Sequence, residues 1–289
     1  MMPEFLTPSQ YFHQKGVRPR KHFGQHFLAQ PATAARIVSS AEPAGLGTAV
    51  EIGPGLGALT RFLAPSVRRL HLVELDRDMA GYLRDIFPGG EEEGVMIHER
   101  DALAFDFAGL ARKEGSRLVV LGNLPYNISS PLLFHLLEAF PAIERAVFMV
   151  QKEVGDRFAA APGGKDYGVL SVLLGIYSKV SKLFTVGPAQ FYPQPKVESI
   201  VIRIDFHEKA PPGPPFSFMR RFVSITFQQR RKTLQNSLKG AFALPQAALV
   251  DAFAKAGVDP KRRPETLSPA EFVTLAEEVR EAAGGGERL

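Results

Sequence analysis

The residues in this 289-residue chain whose types and spacing point to chemistry are Asn123-Leu124-Pro125-Tyr126 and the turn Glu51-Ile52-Gly53-Pro54-Gly55-Leu56-Gly57. In the first, the Asn123 side-chain oxygen and the Leu124 carbonyl present two acceptors to one flat amine. Pro125 fixes the direction of that carbonyl, and Tyr126 offers a ring on which a base can stack. Two acceptors gripping the hydrogens of an exocyclic adenine amine favour a pyramidal nitrogen able to attack a methyl group. No strong general base is required, because the methylated ammonium is acidic and loses its proton to solvent. A base stacked in a helix cannot reach such a pocket, so the target is flipped out or unpaired. Phe191, in Gln190-Phe191-Tyr192-Pro193, completes the expected catalytic group. Two readings of it stay open: closing over the other face of the base, or packing beneath the loop.

The glycine turn follows a strand and precedes a helix, the setting of a nucleotide-binding loop. Glycines such as Gly53 and Gly55 let the backbone approach a ligand closely. A carboxylate at Glu51 would repel the pyrophosphate of a dinucleotide, yet it attracts the sulfonium and ammonium cations of S-adenosylmethionine. Glu74, 21 residues after Gly53, is placed to accept from ribose hydroxyls. Asp101 is placed to accept from the cofactor's adenine amine, with Ala102 beside the ring. The alternative is that Glu74, Asp76 and Asp101 cap helices. Three acids at the ends of three successive strands favour a ligand, since ligands bind there in such sheets.

The elements that must position these residues read as an alternation. Strands are predicted at 49–52, 70–74, 95–98, 118–121 and 146–150, with helices at 32–41, 58–63, 79–87, 107–113 and 131–140. This spacing predicts a parallel sheet covered on both faces. Two further β-rich runs, 180–186 and 197–204, have only a Pro-rich link between them, so the sheet should close hairpin-fashion with one antiparallel strand. A seven-stranded, mostly parallel sheet ending in this way is the Rossmann-like S-adenosylmethionine methyltransferase fold. Pro211-Pro212-Gly213-Pro214-Pro215 reads as a stiff linker. It divides the chain into a methyltransferase domain with an N-terminal basic segment (1–210) and a small α-helical domain (211–289), with helices at 218–229, 231–242, 245–256 and 269–283.

Composition narrows the class. The chain has no cysteine, which excludes disulfides, thiolate zinc sites and a cysteine nucleophile and fits a reducing cytoplasm. Its seven histidines have no metal-ligand spacing, so no metal is expected. No apolar run approaches the roughly 20 residues of a membrane span, and residues 1–6 lack a signal pattern. The net charge is +5, and its placement says more than its size. Residues 15–28 carry Lys15, Arg18, Arg20 and Lys21 without an acid, and residues 217–240 carry Arg220, Arg221, Arg230, Arg231, Lys232 and Lys239 without one. These stretches read as a divided nucleic-acid surface or as two solvated faces.

Several motifs in order resemble the ribosomal RNA adenine dimethylases, specifically the small-subunit (16S) dimethyladenosine transferases of bacteria. They are Phe23-Gly24-Gln25-His26-Phe27-Leu28, Val50 to Gly55, Val73-Glu74-Leu75-Asp76, Gly122 to Ser129, Gln151-Lys152-Glu153-Val154, Tyr167-Gly168, Pro193-Gln194-Pro195-Lys196-Val197 and Phe227 to Thr233. The resemblance implies transfer of four methyl groups, two onto each of two adjacent adenosines in the 3′-terminal hairpin of small-subunit rRNA. It implies action on an immature subunit, by a monomer, as a late checkpoint in assembly. It also implies cofactor contacts from His26, Leu28, Gly53, Glu74, Asp101 and Asn123, with His26 standing where the family usually has Asn. The helical domain would rest on rRNA, with Arg230, Arg231 and Lys232 near phosphates. Competing readings are a large-subunit methyltransferase of the erythromycin-resistance type, a DNA adenine methyltransferase, and an assembly factor that has lost the chemistry. Leu124, where DNA enzymes usually have proline, speaks against the second. Intact Glu51, Glu74, Asp101 and Asn123 speak against the third.

Overall fold

The computed structural model describes residues 5–20, 25–42, 47–125, 127–229 and 231–284. Helix α1 (Pro8–Lys15) opens with a capping box, Thr7 accepting from the Gln10 N–H, and closes at Gly16 in the left-handed region. The periodic pattern predicts no helix before residue 32, yet Tyr11 and Phe12 of α1 are buried, edge-on to Tyr82 and tilted against Phe27 respectively.

The alternation then runs β1 (Phe27–Leu28), α2 (Pro31–Ser40), β2 (Thr48–Ile52), α3 (Thr60–Leu63), β3 (Arg69–Glu74), α4 (Arg77–Ile86), β4 (Val95–Glu99), α5 (Phe107–Glu114), β5 (Leu118–Asn123), α6 (Ser129–Glu138) and β6 (Ile143–Gln151). After α7 (Lys152–Phe158) and α8 (Val169–Tyr177) come β7 (Ser178–Val186), β8 (Phe191–Tyr192) and β9 (Ser199–Phe206). The main sheet has the order β4-β3-β2-β5-β6-β9-β7. Its pairs from β4 to β6 are parallel and β9 runs antiparallel to β6, as the hairpin-like close predicts. The central strands are apolar runs because helices cover both faces: all of β2 is buried, and all of β5 except Asn123.

Chain order reverses at β2, with β3 and β4 on one side and β5 on the other. Ligands bind in the crevice at such a switch point. In the register, Ile52 lies beside Val73 and Gly122. The next residues along, Gly53, Glu74 and Asn123, therefore leave the sheet at one level. A separate two-stranded ribbon pairs Phe27 with Tyr192 and Leu28 with Phe191.

The chain forms two compact units, residues 1–155 with 180–208, and residues 156–179 with 209–289. The last change of unit, at 208–209, lies just before the Pro-rich run 211–215. The segment 156–179, which the sequence division assigns to the first domain, belongs to the second unit. Its α8 is apolar on all sides and finds its partners in α9 (Phe216–Phe227) and α12 (Pro269–Ala282). The predicted helix 231–242 is also corrected. It is α10 (Leu234–Leu238) and a separate 3-10 turn, broken where Gly240 and Phe242 take positive φ. Helix α11 (Gln246–Ala256) packs against α12. Among the described residues no helix is long and apolar enough to cross a membrane.

Candidate active site

The turn after β2 holds Gly53, Gly55 and Gly57 at φ of 61°, 55° and 77°, a region other residues rarely enter. Gly57 has a second constraint, since a Cβ there would run into the Phe5 ring. At the end of β5, a Cβ on Gly122 would stand 2.8 Å from the Ile52 carbonyl oxygen. Glycine there lets the two loops leave the sheet side by side.

Three acids stand at the strand ends in different states. Glu51 is 2% exposed and accepts from the Thr60 hydroxyl at 2.7 Å. Burial raises its pKa to about 8, opposed by the Thr60 hydrogen bond and reinforced by the charge of Glu74. Glu74 accepts from the Gly55 N–H at 3.0 Å and the Asp76 N–H at 2.9 Å. Burial raises its pKa too, against the pull of those amides. It caps no helix; it ties the glycine turn to the β3–α4 turn. Asp101 accepts from the Leu103 N–H at 2.9 Å and so caps a 3-10 turn, while also lining the cavity described below. Asp76 is the N-cap of α4, as the capping alternative has it.

Asn123 donates from Nδ2 to the His26 carbonyl at 2.8 Å. The amide nitrogen is thereby committed, and Oδ1 is the end left to accept. The Leu124 N–H donates to the Met149 carbonyl at 3.0 Å, and the Pro125 carbonyl accepts from the Ile128 N–H at 3.2 Å. The His26 ring approaches the Pro193 carbonyl with Nδ1 at 2.8 Å; a carbonyl only accepts, so Nδ1 carries a proton.

A cavity of about 310 Å³ collects these groups. His26, Leu28, Glu51, Gly53, Gly55, Glu74, Asp101, Ala102, Asn123, Leu124 and Pro125 all line it. Tyr126 lies outside the described residues, as do Lys21 and Arg230. Gln25, Thr60 and Arg61 were not singled out from sequence. Gln25 lies within the motif Phe23 to Leu28, and nothing in the spacing pairs Thr60 with Glu51.

Two of the expected site residues have their contacts elsewhere. Phe191 is 4% exposed, belongs to the core cluster with Phe12 and Phe27, and is not among the residues lining the cavity. Its pairing with Leu28 draws it inward, while the next residue, Tyr192, is 41% exposed. Arg20, expected on RNA, is bound by Asp76 at 2.9 Å and Asp78 at 2.6 Å. Gln25 joins it on the other oxygen of Asp76 at 2.9 Å. In the second unit Arg220, Arg221, Arg231 and Lys232 are exposed, with Arg221 over the Phe242 ring. No cluster of three His, Cys, Asp or Glu among the described residues is placed to hold a metal.

The description of one family, "Ribosomal RNA adenine dimethylase", matches residues 16–281. The chain belongs to the ribosomal RNA adenine dimethylase family. It is an enzyme of methyltransferase class. Its relatives include the ribosomal RNA small subunit methyltransferase A of Acinetobacter baylyi, 47% identical over 92% of this chain and 94% of that one. The protein of the same name from Pseudomonas aeruginosa is 45% identical over 92% of this chain and 97% of its own. In structure the chain is similar to a dimethyladenosine transferase from Plasmodium falciparum, with a TM-score of 0.74 and 25% identity over 86% of this chain and 96% of that one. It is also similar to the 23S rRNA methyltransferase ErmE, with a TM-score of 0.65 and 26% identity over 88% of this chain and 99% of that one. The chain thus shares its architecture with a dimethyladenosine transferase and with a 23S rRNA methyltransferase, while the relatives at 45% and 47% identity are named for the small subunit.

Proposed function

We propose that this chain uses S-adenosylmethionine to dimethylate the N6 amines of two adjacent adenosines in the 3′-terminal hairpin of 16S rRNA, leaving S-adenosylhomocysteine. It acts as a cytoplasmic monomer on an immature small subunit. The observation that carries this reading is the single cavity in which three strand-end acids meet the Asn123-Leu124-Pro125 turn. The cavity suits the cofactor chemically: a buried carboxyl at Glu51 for a cation, Glu74 and Asp101 for hydroxyl and amine donors, and Ala102 and Leu28 as apolar walls.

When bound, S-adenosylmethionine supplies an electrophilic methyl on a sulfonium. Asn123 Oδ1 and the Leu124 carbonyl accept from the adenine amine, turning its nitrogen lone pair toward the methyl. The His26 carbonyl holds the Asn123 amide in that orientation through its bond to Nδ2. The Met149 carbonyl holds Leu124 in the same way. The ammonium proton leaves to solvent. Positioning and charge complementarity supply the acceleration, and no residue of the cavity has to act as a strong base. The exposed Arg220, Arg221, Arg231 and Lys232 supply the phosphate contacts that orient RNA without reading its sequence.

The test is incubation of wild-type and Asn123→Ala protein with labelled cofactor and each unmethylated ribosomal subunit. Wild type should label the small subunit alone. Asn123→Ala should lose at least about a hundredfold in rate, as removal of a transition-state acceptor does, with rRNA affinity held within about twofold. Label in the large subunit alone would overturn the substrate reading, and equal loss of binding and methylation would make the loop structural.

A further inference from the structure

The methionine end of S-adenosylmethionine carries an ammonium and a carboxylate on the same carbon. Glu51 suits the ammonium, but a carboxylate placed beside it needs a cation of its own. Among the described residues, the basic side chains lining the cavity are His26, Arg61 and Arg100. The ring of His26 is turned to the Pro193 carbonyl, and Arg100 adjoins Asp101, the residue suited to the adenine.

The third is Arg61. It follows Thr60, whose hydroxyl is bonded to Glu51, so a cation for the carboxylate sits one residue from the partner of the ammonium's acid. Its Nε is buried without a hydrogen-bond partner. Its guanidinium lies 4.9 Å from the centre of the Phe5 ring, and the cavity lining includes the apolar Leu6, Pro8, Leu56 and Leu59. Burial lowers its pKa, with only Tyr82 acting in the other direction. A buried arginine donor without an acceptor is costly unless a ligand supplies one.

We propose that Arg61 binds the α-carboxylate of the cofactor's methionine moiety and selects cofactors that bear it. The planar fork matches a carboxylate, and the Phe5 ring beneath holds its plane. The proposal rests on the cofactor reading above and goes beyond it by naming a specificity determinant.

The experiment is calorimetric titration of the full chain, wild type and Arg61→Gln, with S-adenosylmethionine, decarboxylated S-adenosylmethionine and 5′-methylthioadenosine, which lacks the amino-acid tail. Wild type should prefer S-adenosylmethionine to its decarboxylated form by about tenfold or more, as loss of a desolvated charge partner does. Arg61→Gln should abolish that preference while binding 5′-methylthioadenosine within about twofold of wild type. Absence of the preference in wild type, or equal loss for all three ligands in the variant, overturns the assignment of Arg61 alone. Failure of wild type to bind either S-adenosylmethionine or 5′-methylthioadenosine overturns the cofactor reading, and Arg61 falls with it.

Discussion

In the cavity of the first unit, Glu51 and Glu74 are enclosed, bonded to a hydroxyl and to backbone amides, and far above the usual carboxylate pKa in the case of Glu51. In the second unit, Arg221, Arg231 and Lys232 stand in solvent. Both regions work by charge, and burial makes them answer to different variables. An enclosed carboxyl is shielded from salt but costly to ionise, so it responds to pH and to a cation that can enter. Exposed guanidinium and ammonium groups stay charged, attract a polyanion and are screened by salt. Arg20 fits neither kind: its side chain is half-exposed, yet Asp76 and Asp78 hold it.

The largest effect that can break this contrast concerns Glu51. Its folded pKa, about 8, lies above the ordinary 4.5. Between those values the folded chain keeps a proton that the unfolded chain gives up. The stability of the protein without cofactor therefore falls as pH rises through that window, by on the order of a few kcal/mol. Glu51→Gln should flatten that dependence in denaturant titrations at pH 5 and pH 8; an unchanged slope would mean that Glu51 is not the group responsible. Next in size, Arg231→Gln with Lys232→Gln should weaken rRNA binding about tenfold and lower the log–log salt slope by roughly 1 to 2. Filter binding across a salt series measures both, and an unaltered slope would make these residues a solvated face. The smallest effect is the sharpest discriminator. Arg20→Gln should leave the rRNA salt slope alone and weaken cofactor binding about threefold, as expected for losing a half-exposed ion pair that anchors the lining segment. A drop in slope like that of the double variant would return Arg20 to the RNA surface.

The strands were legible because buried parallel strands are unbroken apolar runs between turn residues. Most of the cavity wall was legible because strand ends at a switch point converge. Helix α8 was not, since an apolar run of this length has no solvent face to give it a period. Its membership of the second unit depends on α9 and α12, which lie far along the chain. The break in the predicted helix 231–242 follows from the positive φ of Gly240 and Phe242, which helix periodicity does not reveal.

Residue types at strand ends were enough to suggest the chemistry proposed above: acids suited to a cation, and an Asn-Leu-Pro-Tyr turn suited to gripping an amine. Such turns depend on local backbone rules, and local rules are written in adjacent residues. Which charges are spent and which are offered was decided only by tertiary structure. The pairing of residues 27–28 with 191–192 put Phe191 into the core, and the β3–α4 turn captured Arg20. The same folding left Arg61 with a buried donor and no acceptor. Each of these outcomes is a distance between residues remote in sequence, and the free energy of a charge or a ring depends on what stands within a few ångströms of it.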